Sequence, residues 1–234
     1  MADNPVDVVA DSNDYRAIST SGVLSLGLGV LSFTSLIFPL FWIFPALGLL
    51  LALLALRRIG KPDSHLTGRG VAIAGLFLSL LFGSMATARY SMRQFIINKQ
   101  AEEFATRWFT LFQEGSLLKA HQLSMDPKFR LTADVLLNEQ YENDVTLKET
   151  LNKFVEEELI HTLMTQQDRA TYRLVANLDQ IRDEQVIRIR QLYQISFSHN
   201  GATRVIRFEL TIRCQFDKLS NQTYWTIADY QVAS

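Results

Sequence analysis

The chain has 234 residues with 23 Lys or Arg against 24 Asp or Glu, a formal charge of −1. A chain so close to neutral carries no electrostatic footprint for nucleic acid or for an acidic partner. Its single cysteine, Cys214, excludes an intramolecular disulfide and a cysteine-cluster metal site.

The neutral average hides a division. Residues 18–56 contain no charged side chain, whereas residues 91–234 hold 17 Lys or Arg and 19 Asp or Glu. The reading is a membrane part joined to a solvated globular part. At the N-terminus, Asp3, Asp7, Asp11 and Asp14 stand without a cation before Arg16. A secretory signal would place a cationic segment and an apolar core there. Residues 1–17 are therefore expected to form a disordered cytoplasmic leader.

Residues 19–56, thirty-eight in all, would run about 57 Å as one helix, nearly twice the ~30 Å hydrocarbon thickness of a bilayer. Pro39 and Pro45 in FPLFWIFP divide the run, predicting spans over about 21–38 and 41–56, with Trp42 as an interfacial aromatic at the turn. The next stretch, LTGRGVAIAGLFLSLLFG, raises the question of a phosphate loop. Gly68 and Gly70 suit a dinucleotide fingerprint, but Ile73 holds the place of its third glycine. Gly70 and Gly75 have the spacing of a nucleotide-hydrolase loop, yet Leu76 and Phe77 follow where Lys and Ser or Thr are needed. Residues 71–88 are eighteen uncharged residues, a third predicted span.

Cations set the expected orientation. Arg57, Arg58, Lys61 and Arg69 fall between the second and third spans, and Arg16 precedes the first, against Arg89, Arg93 and Lys99 after the third. Cytoplasmic loops carry the excess of Lys and Arg, so the N-terminus is expected in the cytoplasm and the C-terminal part outside. Gly75, Ser79 and Gly83, with Thr87 in register, form a small-residue stripe along which helices can approach closely. None of the three spans contains an ionisable residue, which weighs against a transporter or channel component.

The residues ALRRIGKPDSHLTGRGVAIAGLFLSLLFG resemble a bacterial membrane family catalogued as domain of unknown function 4190, which has a hydrophobic hairpin, a short basic loop and a third helix opened by GRGxAIAG. The resemblance covers about residues 18–88. It implies a bacterial cytoplasmic membrane location and no activity.

Beyond Ser91 the period becomes that of a solvated helix. In AEEFATRWFTLFQEG, Phe104, Trp108, Leu111 and Phe112 share one face, continuing the third span until Gly115. Ser116 is placed to cap a short helix that stops before Pro127. Thr146 and Glu149 have capping-box spacing ahead of an apolar stripe through Leu147, Leu151, Phe154, Val155, Leu159 and Leu163. Residues 128–145 give no clear pattern. From Thr171 the period is two, with Tyr172, Leu174, Ala176 and Leu178 inward on a first strand. Ile187, Ile189, Tyr193, Ile195 and Phe197 do the same on a second, Asn200 and Gly201 make a hairpin turn, and Ile206 to Phe216 alternate on a third. A last strand follows in TYWTIADYQV.

Helices followed by an antiparallel meander ending in W-x-I-x-x-Y-x-V resemble the nuclear-transport-factor-2-like cone fold, an α+β architecture, over about residues 99–234. FATRWFTLFQEGSLLKAHQLS is similar to the opening helices of that superfamily. The resemblance implies helices packed on a curved four-stranded sheet, a fold that serves enzymes, binding modules and assembly domains alike.

Enzymes of that fold use an Asp or His base with Tyr donors. The candidates here are His121 and Asp126, each with a plainer account as a helix-end histidine and a pre-proline turn residue. Tyr193 and Cys214 are the polar-capable residues on the inward strand faces and could line a cavity. Arg188, Arg190, Arg204, Arg207 and Arg213 are read as outward, paired with Asp183, Glu184 and Glu209 across strands. His65, His161 and His199 lack metal-ligand spacing, so neither metal nor cofactor is expected.

The expectation is thus a tail over 1–17, a three-helix transmembrane bundle over 18–90 and an extracytoplasmic α+β domain over 91–234. Its partners are the bilayer and either a protein, including a second copy of the chain, or a small apolar ligand, and not nucleic acid. A cone-cavity enzyme of isomerase or dehydratase type is the alternative.

Overall fold

The computed structural model describes residues 19–60, 68–132, 136–166, 170–183, 185–199, 202–218 and 220–232. The acidic leader, Lys61, His65, Glu184 and the Asn200–Gly201 turn lie outside the described residues. The chain forms two compact units, with the boundary after Gln94.

The first unit comprises α1 (Thr20–Leu31), a 3-10 turn (Ser32–Leu36), a second 3-10 turn (Pro39–Trp42), α2 (Ile43–Ile59) and the start of α3 (Arg69–Gln113). The break in FPLFWIFP falls at Phe38, whose backbone is extended at φ −131° and ψ 137°. The ring of a following proline excludes the helical region for the residue before it, and Pro39 imposes that here. Two helical runs, Pro39–Ile59 and Arg69–Gln113, are long and apolar enough to cross a membrane, while Thr20–Leu36 is a shorter apolar helix. Three spans were expected; two helical runs reach full spanning length, while the first, over Thr20–Leu36, stops short of it.

Polarity in this unit is arranged by size. Ser25, Ala52, Ala55 and Ala72 are completely buried, whereas Ile37, Leu40 and Phe77 are more than half exposed. Two of the buried hydroxyls turn back onto their own helix, Ser25 Oγ donating to the Gly22 carbonyl at 2.7 Å and Ser35 Oγ to that of Ser32 at 2.6 Å, so these two meet apolar surroundings with their donors satisfied.

The remainder of α3 enters the second unit as one uninterrupted helix, as the sequence predicts. Its core face is rotated from the expected one: Trp108, Phe109 and Phe112 are buried, while Phe104 and Leu111 only flank the core. Gly115, at φ +68°, reverses the chain, and the Ser116 N–H donates to the Leu111 carbonyl at 2.8 Å, a closure that a glycine makes without side-chain strain. Ser116 precedes α4 (Leu117–Ser124), but its hydroxyl makes no capping bond. After a 3-10 turn (Pro127–Phe129) come α5 (Leu137–Asn143), α6 (Val145–Glu156) and α7 (Glu158–Thr165). The cap of α6 is Asp144, which accepts from the N–H groups of Thr146 and Leu147, in place of the expected Thr146–Glu149 box; the carboxylate two residues earlier opens the helix sooner and satisfies the orphan donors of that first turn. The apolar stripe predicted as one helix is split at Glu157, whose backbone is extended.

Strands β1 (Thr171–Asp183), β2 (Val186–His199), β3 (Ala202–Asp217) and β4 (Gln222–Val232) form one antiparallel sheet in sequence order. Register shifts in β1 between Leu174 and Ala176 and between Asn177 and Asp179 interrupt the period of two, and Leu178, expected inward, is 41% exposed. Phe216, also expected inward, is 40% exposed at the end of β3. Arg204 pairs with the core residue Phe197 and therefore shares its side of the sheet, the opposite of the outward assignment.

Candidate functional site

The acid/base candidates do not meet. His121, on α4, is buried, with Nδ1 2.6 Å from the Tyr141 hydroxyl of α5 and its ring 5.0 Å from that of Phe154. The Tyr141 oxygen also accepts from Gln122 Nε2 at 2.7 Å, and Gln122 Oε1 accepts from the Leu131 N–H at 2.9 Å. Three elements are thereby tied through one closed network of buried polar groups. Burial holds the imidazole below its ordinary pKa, opposed by a hydrogen bond with the Thr150 backbone. The neutral ring accepts the tyrosine proton.

A sign follows for stability. The unfolded chain takes up the proton first on acidification, so the neutral folded state loses stability as pH falls below about 6.5. We expect thermal stability of the second unit, followed by near-ultraviolet circular dichroism in nanodiscs, to decline from pH 7.5 to 5. The slope should not exceed about 1.4 kcal/mol per pH unit, and His121→Gln should flatten it. An unchanged slope in that variant would place the titration elsewhere.

Asp126 caps the 3-10 turn, accepting from the Lys128 N–H at 3.1 Å, and pairs with Arg213 at 2.9 Å. The Lys128 N–H and the Arg213 guanidinium keep its carboxyl below the usual range, which suits a structural anion better than a proton donor. Arg130, beside it, donates to the carbonyls of Leu123, Met125 and Trp225 and to Thr226 Oγ1. Together these residues fasten the segment after α4 to β3, through Arg213, and to β4, through Trp225 and Thr226. Arg213 is thus committed to Asp126, while Arg190 makes a two-pronged bond to Asp179 and lies 3.6 Å from Glu209, so part of the expected cross-strand pairing is present.

The middle of the helix–sheet layer is filled. Phe109 stacks on Tyr172 at 4.5 Å and meets Tyr193 and Phe208 edge-on. Tyr193 is buried, its hydroxyl donating to Gln191 Oε1 at 2.9 Å, and burial raises its pKa. Cys214 is a buried free thiol also pushed upward by burial, which disfavours the reactive thiolate. Sequence reasoning passed over Gln191: it occupies an inward position of β2 with no exposure, bonding the Asn98 carbonyl and Asn177 Oδ1. Its polarity concealed it, although its parity with Ile189 and Tyr193 marks the position. A smaller cavity of about 490 Å³ lies between α3 and β1, lined in part by Tyr172 and Tyr193; burial raises the Tyr172 pKa to about 12.

The larger cavity, about 750 Å³, lies away from that filled centre. Its walls are the C-terminal part of α3, the first turns of α4, residues 130–132 and the start of α5. Seven of its fifteen lining residues are leucines, including Leu111, Leu118, Leu131 and Leu137. Neither His121 nor Asp126 lines either cavity. Six of the fifteen lining residues come from the stretch the sequence left unreadable, where Leu131, Leu136 and Leu137 follow no single period.

In the first unit the small-residue stripe of α3 faces both preceding helices. A Cβ on Gly75 would lie 2.6 Å from the Ser25 backbone of α1, one on Gly48 of α2 would meet Ser79 Oγ, and one on Gly83 would lie 3.3 Å from Pro45. Trp42 crosses Tyr90 edge-on at 5.6 Å. Of the cations read for orientation, Arg57 and Arg58 occupy the last turn of α2 and Arg69 begins α3.

No protein-family model matches the chain, and neither does any curated protein or solved structure.

Proposed function

We propose that this chain is a three-pass membrane protein whose α+β unit faces the extracytoplasmic side and binds a small apolar ligand. The observation that carries the binding part is the 750 Å³ leucine-walled cavity, which has the volume and lining of a small-molecule site. A concave site of this kind favours a small ligand over the flat patch expected for a protein partner.

Three arguments support the membrane part. A unit with alanine, glycine and serine inside and leucine, isoleucine and phenylalanine outside reverses the soluble arrangement and matches packing in lipid. The shorter first run, twelve α-helical and five 3-10 residues, rises about 28 Å, because a 3-10 residue advances ~2.0 Å against ~1.5 Å, and so approaches the hydrocarbon thickness. The likeness of GRGVAIAG and its flanks to the bacterial membrane family agrees with a bacterial cytoplasmic membrane, and the cation count favours a cytoplasmic N-terminus.

Two measurements test the proposal. Alkaline phosphatase fused after Ser234 is expected to be active, and activity of a cytoplasm-reporting fusion alone would reverse the orientation. A neutral apolar diazirine probe, photolysed with the full chain in nanodiscs, should label residues 111–123, 130–132 and 136–138. Labelling confined to the membrane unit would sink the binding assignment.

A further inference from the structure

The lining of the large cavity is one-sided in charge. Arg107, Lys119 and Arg130 contribute to it, and among the described residues no Asp or Glu does, although acids outnumber cations 19 to 17 across residues 91–234. Arg130 is bound by its neighbours and remains cationic, as a guanidinium does in proteins. Arg107 and Lys119 are exposed and make no ion pair among the described residues. Leucines and unneutralised cations in one cavity complement a molecule that is apolar along most of its length and anionic at one end.

Resting on the apolar-ligand reading above, we propose that the occupant is an anionic single-chain amphiphile of the fatty-acid class. Its hydrocarbon lies against Leu111, Leu118, Leu131 and Leu137, and its carboxylate is met by Arg107 and Lys119. The site is separate from the centre of the helix–sheet layer, where Phe109, Tyr193 and Phe208 pack against one another. An amphiphile of this kind is soluble in the bilayer beside which the domain is anchored, so the anchor and the site act on the same pool of molecules.

The test uses the full chain in phosphatidylcholine nanodiscs at pH 8, where the carboxylate is charged. Hexadecanoic acid bearing a mid-chain diazirine is compared with the corresponding alcohol and trimethylammonium compounds, and labelled positions are mapped by peptide mass. The acid is expected to label residues 111–123, 130–132 and 136–138, with displacement by unlabelled hexadecanoate. The double variant Arg107→Gln, Lys119→Gln should weaken labelling by the acid about tenfold, the effect of ~1.4 kcal/mol. Labelling by the alcohol should not change, and Arg107→Lys with Lys119→Arg should retain the preference. Equal labelling by all three compounds, unaffected by the double variant, overturns the anionic assignment while leaving an apolar site intact. Absence of cavity labelling by every compound overturns the ligand-binding reading itself.

Discussion

Gly75→Ala is expected to destabilise the first unit by about 1–3 kcal/mol, the range for forcing an extra methyl into a closed interface. The added Cβ would sit 2.6 Å from a backbone carbon of Ser25 and 2.7 Å from the Leu26 nitrogen. Neither can move without displacing α1, because both are backbone atoms, so a rotamer change cannot relieve the contact. Gly27 has nothing within 4 Å of its would-be Cβ, and Gly27→Ala is expected to be neutral or slightly stabilising, as alanine suits a helix better than glycine. The pair is read by sodium dodecyl sulfate unfolding in mixed micelles, with proteolysis of the first ninety residues as the signal. Equal midpoints for the two variants would show that α1 and α3 do not approach at Gly75.

The second large effect is predicted in the globular unit. Phe109 is 1% exposed and touches Trp108, Tyr172, Tyr193 and Phe208. Phe109→Ala should cost about 3–5 kcal/mol, through lost transfer energy and the void left behind. That void is lined mainly by aromatic side chains, and such apolar spaces take up small aromatic molecules. Benzene is therefore expected to raise the melting temperature of Phe109→Ala and not that of the parent. A parent protein stabilised equally by benzene would mean that the centre is already open, restoring a central ligand cavity to consideration.

The elements with strong periodicity were legible. The apolar runs, the break before Pro39, the extension of the third apolar helix past Ser91, its end at Gly115 and the four-strand meander all follow from spacing and turn chemistry that act within a few residues. Legibility failed where a competing neighbour in the chain or a shift of strand register outweighed the simple period. Asp144 displaced Thr146 as a cap, Glu157 divided a continuous apolar stripe, and the register shifts in β1 turned Leu178 outward. The candidate site divides in the same way. His121 and Asp126 were visible as titratable residues, but nothing in their spacing revealed that one bonds Tyr141 and the other Arg213.

The pattern of the chain alone determined the division into an uncharged segment and a solvated one, the small-residue stripe and the order of helices before strands, because hydropathy and periodicity are sums over neighbours along the chain. Only the tertiary structure decided that Gly75 meets Ser25, that Gly83 meets Pro45, and that aromatic rings occupy the centre of the helix–sheet layer. It also decided that leucines from α3, α4, α5 and residues 130–132 line one cavity with three cations and, among the described residues, no acid. A cavity is a relation between surfaces far apart in sequence, and chain closure brings them together without leaving a periodic mark on any one of them.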